Sequence, residues 1–175
     1  GSVIYVLAGG QGAPTDNYYL RWGNEPVTYS AFYPVTEGTS VANFSLPINQ
    51  QSLENLASAD YMTCTVEDAI NEGSGVLHLN MNRRMAKVIM TLDDIDSQSK
   101  ALGVKIGSYQ GYTDGNVSSG TALVSPYVTI PEGGKAGQSG CKYTAIVAPG
   151  TANPNSTFVS LNYKGEDLVL PGIPA

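Results

Sequence analysis

Apolar residues recur at every second position along most of this chain, and that period of two decides its fold class. In Ala42-Asn43-Phe44-Ser45-Leu46-Pro47-Ile48 the apolar side chains fall at 42, 44, 46 and 48. Successive side chains of a strand point to opposite faces, whereas a helix needs spacings of three and four. Pro47 takes the other parity and faces outward, which suits an edge strand. Similar runs occupy 17–22, 27–33, 61–66, 76–81, 85–92 and 103–108. Further runs follow at 121–124, 127–130, 143–148, 158–163 and 166–170, the last two joined by a Lys164-Gly165 hairpin turn. Val3-Ile4-Tyr5-Val6-Leu7 is apolar on both parities, as a strand buried on both faces should be. One helix is expected near residues 52–58, capped by Ser52, with Leu53 and Leu56 on one face. Many short strands separated by turns mean a sandwich or a barrel.

Shared parity along the strands selects the inward residues Phe44, Leu46, Leu77, Leu79, Met81, Val88, Met90, Ile146 and Phe158. No linker or shift in composition divides the chain, so residues 1–175 read as one domain.

Charge narrows the partners. Only 14% of residues are charged, and 9 Lys+Arg against 15 Asp+Glu leave a net charge of -6. The surface is therefore built from Ser, Thr, Asn, Gln and Gly. No basic cluster exceeds Arg83-Arg84, which excludes a phosphate-backbone partner and an anionic membrane surface. The longest apolar run, Val3 to Ala8, is too short to span a bilayer. No signal peptide is visible, but the opening Gly1-Ser2 reads as a cloning scar, so export stays open. Cys64 and Cys141 lie in alternating runs and read either as buried small hydrophobes or as one disulfide.

Candidate chemistry is sparse. Gly9-Gly10-Gln11-Gly12 has no helix or lysine after it to complete a phosphate loop and reads as a flexible link. His78, the sole histidine, is out of phase with Leu77 and Leu79 and has no nucleophile at a recognisable spacing. Asp93, Asp94 and Asp96 lack the glycine and later glutamate of a calcium loop. One histidine and two distant cysteines do not make a zinc site. The sequence thus singles out no catalytic residue, cofactor or metal ligand. Tyrosine is unusually frequent, 11 against 3 phenylalanines. Tyr18, Tyr19, Trp22, Tyr29 and Tyr33 cluster early, as core residues or as a glycan- or protein-binding surface.

The order of segments resembles the fimbrillin-like proteins of Bacteroidales, pilus subunits whose precursors are lipoproteins. Tyr29-Ser30-Ala31-Phe32-Tyr33-Pro34-Val35 is similar to that family's aromatic strand ending in proline. Ala59 to Thr65, then Gly75 to Val88, resemble a later pair of strands and their corner. Tyr143-Thr144-Ala145-Ile146-Val147-Ala148-Pro149-Gly150 resembles its late strand ending in proline. Where the family often has histidine, this chain has Arg83. The resemblance implies a transthyretin-like, two-sheet Greek-key β-sandwich without catalysis or cofactor. It implies an exported subunit of an outer-membrane pilus, lipid-anchored as a precursor, that joins other subunits by donor-strand exchange. Family members usually continue into a second sandwich, so the chain reads as one domain of a longer precursor or as a short member. The exchanging strand is expected to be Val3, Ile4, Tyr5, Val6 and Leu7, with the glycines as its hinge. The alternative function is a stand-alone glycan-binding sandwich using exposed tyrosine and tryptophan.

Overall fold

The computed structural model describes residues 3–8, 11–15, 25–69, 76–150 and 156–172. The chain is all-β apart from one short helix, as the period of two requires. The strands are β1 (Tyr5–Ala8), β2 (Gln11–Pro14), β3 (Val27–Tyr33), β4 (Phe44–Ser45), β5 (Met62–Ala69), β6 (Asn82–Arg83), β7 (Ala86–Thr91), β8 (Ala101–Tyr109), β9 (Gly111–Thr113), β10 (Asn116–Val117), β11 (Thr121–Val124), β12 (Tyr127–Thr129), β13 (Lys142–Val147), β14 (Thr157–Tyr163) and β15 (Glu166–Pro171). Helix α1 (Leu53–Ser58) lies between β4 and β5. Ser52 caps it, its hydroxyl accepting from the Asn55 amide at 3.1 Å.

Two sheets form the sandwich. One is four-stranded in the order β11-β8-β14-β15, the other three-stranded in the order β12-β13-β7. After β11 the chain lays β12 and β13 into the facing sheet, and β14 then returns beside β8. Ile106 and Val124 of the larger sheet share a core with Ala145 and Val147 of the smaller. Ala101, Val104 and Leu161 meet Tyr143, Met90 and Val128 in a second cluster. Smaller ladders surround this pair: β3-β5-β6, β10-β9-β4 and the hairpin β1-β2. Tyr61 anchors the first core, stacked on Phe44 with ring centroids 4.7 Å apart and tilted against Tyr112 at 5.4 Å. Its hydroxyl donates to the Ser40 carbonyl at 2.7 Å, which satisfies the one polar atom that burial would otherwise strand. Gly107 is required where β14 crosses β8, because a Cβ there would collide with the Thr157 carbonyl.

Several inward assignments hold and others do not. Phe44 and Leu46 are buried, and Val88 packs against the first core while Met90 packs against the second. Residues 76–81 form no strand, and Leu79 is exposed while Leu77 and Met81 are half-buried. That stretch alternates yet is not part of a strand, and alternation alone does not bury a face. In β13 the buried parity is Tyr143, Ala145 and Val147, with Ile146 half-buried on the other side. In β14 it is Val159 that is buried, not Phe158. Around Ile146 the neighbours Ala145 and Val147 are also apolar, whereas in β14 Phe158 shares its parity with Ser160 and Asn162, and Val159 shares its parity with Leu161 and Tyr163, so the alternation there favours Val159.

The first strand also differs from expectation. Among the described strands β1 pairs with β2, with Tyr5 opposite Pro14 and Ala8 opposite Gln11. Ile4 and Val6 are 49% and 59% exposed rather than buried between sheets. Gln11 and Gly12, expected in a flexible link, belong to β2. Gly9 and Gly10 lie outside the described residues.

Candidate assembly site

The residues singled out for chemistry stay apart. His78 is exposed in the irregular stretch before β6. Asp96 pairs with Lys164 at 3.3 Å and accepts from the Gln98 amide at 2.9 Å, so it closes a turn. The Gln98 bond first, and then Lys164, hold the Asp96 carboxyl below its ordinary range. Asp94 takes a left-handed conformation at φ 55. Cys64 and Cys141 are both buried and unbridged, and the Cys141 thiol donates to the Lys135 carbonyl at 3.2 Å. Among the described residues no group of three or more His, Cys, Asp or Glu could hold a metal ion.

The expected aromatic surface separates as well. Tyr29 is a core residue, whereas Tyr33 is 40% exposed. Both belong to β3, four residues apart on the same side, but at the Tyr33 end it is Phe32, on the other side, that packs against the core. Tyr18, Tyr19 and Trp22 lie outside the described residues.

What the fold does present is uncovered strand. Ile4, just before β1, and Val6 within it face solvent, and among the described strands β1 pairs with β2. At the opposite end of the chain, every residue of β15 is exposed. Leu168 sits opposite Leu161, and Leu170 opposite Val159. Cross-strand partners share a face, so both leucines continue the core face of the larger sheet. They are nevertheless 47% and 59% exposed. Among the described strands four face three, and none lies over β15. A shallow groove of about 470 Å³ lies nearby, walled by Tyr109, Leu123, Pro149 and Phe158 with the hydroxyls of Ser108 and Thr157. It is uncharged throughout. No helix among the described residues is long and apolar enough to cross a membrane.

Sequence reasoning found β15 as half of a hairpin but missed its exposure. Leu168, Val169 and Leu170 are apolar on both parities, so the sequence alone favours burial and carries no sign of their exposure.

The fold is thus an all-β sandwich whose described strands include the exposed apolar residues Val6 in β1 and Leu168 and Leu170 in β15. The fimbrillin-like family model matches residues 3–175, and the chain belongs to that family. Its fold is similar to the 1.67 Å crystal structure of a candidate cell adhesion protein from Bacteroides uniformis, with a TM-score of 0.53 and 15% identity. That similarity covers 94% of this chain and 64% of the other, so this chain spans less than two thirds of that protein. No curated protein sequence matches the chain.

Proposed function

We propose that this chain is a non-catalytic structural or adhesive subunit of a cell-surface pilus. The fimbrillin-like match over residues 3–175 supports assembly with other pilus subunits. The reading includes export, an outer-membrane location and a lipid-anchored precursor. Subunits join by donor-strand exchange, and Val3, Ile4, Tyr5, Val6 and Leu7 form the exchanging strand. The observation that carries this is the hairpin: an apolar strand held by one short partner, with Ile4 and Val6 in solvent. Such a strand can leave its partner cheaply and gains a full backbone ladder and side-chain pockets on a neighbour. Because Ile4 and Val6 are not enclosed between sheets, the strand serves as the donated element rather than as a plug whose loss opens the sandwich. Immunogold labelling of cells that produce the full precursor tests the reading. Labelled filaments that shear from the cell and contain this chain support it; a chain found only as a free soluble protein contradicts it.

A further inference from the structure

We propose that β15 is a dimerisation edge whose occupant is the β15 of a second copy, paired antiparallel about Val169. The parity of the backbone comes first. Lys164 and Gly165, at φ 54 and 85, make the two-residue turn that closes on Tyr163 and Glu166. The Gly172 amide donates to the Ser156 carbonyl at 2.7 Å. Even-numbered residues of β15 therefore turn their amides toward β14. Asp167, Val169 and Pro171 turn theirs to the open edge, and among the described strands β14 alone lies beside β15. Pro171 has no N–H, so the open edge carries two donors, those of Asp167 and Val169.

A second β15 satisfies that edge in one register. With Val169 opposite Val169 of the other copy, each Val169 amide meets a Val169 carbonyl. Each Asp167 amide meets the Pro171 carbonyl, and proline stands where no donor is needed. The same register sets Leu168 directly opposite Leu170, twice, on the uncovered core face. Cross-strand apolar pairs of this kind are the stabilising unit of a sheet. Charge selects the direction. A parallel pairing would lay Glu166 and Asp167 beside their own copies, whereas the antiparallel one sends the four acids to opposite ends. The paired apolar centre is three residues long on each side, so the dimer is weak and concentration-dependent. It is an isologous, closed contact, separate from the donated strand of the pilus reading.

Cysteine pairs test the register. In a non-hydrogen-bonded antiparallel pair the Cα atoms stand about 4.5 Å apart, within disulfide reach. A mixture of Leu168→Cys and Leu170→Cys chains should cross-link under mild oxidation. Either variant alone should not, because identical positions then lie about 8 Å apart. The native Cys64 and Cys141 are buried and stay out of the reaction. Sedimentation of Val169→Pro gives a second reading. Its lost amide faces outward, so the fold should persist while the dimer weakens about tenfold. Cross-linking of Leu168→Cys alone would overturn the register. No cross-link in the mixture, or Val169→Pro dimerising as the parent does, would overturn the proposal.

Discussion

The carboxamide of Gln50 takes the place of a β-strand opposite Ile146. Its Oε1 accepts from the Ile146 amide at 2.8 Å, and its Nε2 donates to the Ile146 carbonyl at 2.8 Å. The second Nε2 proton reaches the Pro47 carbonyl at 3.0 Å. The register of β12 on β13 would bring Ser125 opposite Ile146. Ser125 instead bonds to Ile48 and Gln50, because here the chain switches sheets between β11 and β12. A side-chain amide carries the same donor and acceptor as a peptide, so glutamine fills the gap.

Replacing Gln50 should therefore be costly. Gln50→Ala leaves a buried amide and carbonyl of Ile146 without partners and opens a cavity. The expected loss is about 2–4 kcal/mol, or roughly 10 °C in melting temperature. Gln50→Glu should be no better, since a carboxylate cannot donate to Ile146 and Pro47. Thermal denaturation of both variants checks this; a Gln50→Glu chain as stable as the parent would contradict the ladder role.

The aromatic stack around Tyr61 should separate packing from hydrogen bonding. Phe44→Ala removes a buried ring that lies parallel to Tyr61 and should cost about 3–5 kcal/mol. Tyr61→Phe keeps the stack and loses only the bond to Ser40, at about 1 kcal/mol plus the cost of an unpaired carbonyl. Denaturant unfolding should rank Phe44→Ala well below Tyr61→Phe. Equal losses would mean that the hydroxyl, not the ring, holds this core.

Alkaline stability should depend on two buried phenols. Burial raises Tyr61 above its ordinary value, an effect that Arg84 opposes and Tyr112 adds to. Burial also raises Tyr143, with Cys141 adding and a hydrogen bond to the Gly137 backbone opposing. A raised folded value means that the stabilisation is complete below the unfolded value of 10.0 and is lost as pH rises through the folded one. Ultraviolet difference titration should show these two phenols ionising last, together with unfolding. Tyr143→Phe should unfold at higher pH than the parent; no change would contradict its burial in the neutral form.

Much of the fold was legible because strands announce themselves by parity. The helix was placed by Ser52, Leu53 and Leu56, and the β14–β15 hairpin by Lys164-Gly165. Where apolar residues fall on both parities, as around Ile146 and at Val3 to Leu7, the period of two marks a strand without saying which face is covered. At Phe158 the parity was legible and misassigned, since Ser160 and Asn162 share it. Residues 76–81 erred the other way, alternating without forming a strand. Gln50 was out of reach, because a side chain that replaces a strand leaves no periodic mark. For the candidate site, β1 was named as a strand from sequence, but the open core face of β15 needed the strand count of both sheets.

The most direct test of the pilus reading compares assembly with and without the N-terminal hairpin. The measurement is mass by size-exclusion chromatography with light scattering, on the full chain and on a chain lacking residues 3–14, each concentrated and incubated. β1 and β2 pair only with each other among the described strands, so the shortened chain should stay folded and melt within a few degrees of the parent. The full chain should build a ladder of species beyond the dimer, and the shortened chain should stop at the dimer. A shortened chain that climbs the same ladder, or a full chain that never passes the dimer, would contradict strand donation by Val3 to Leu7.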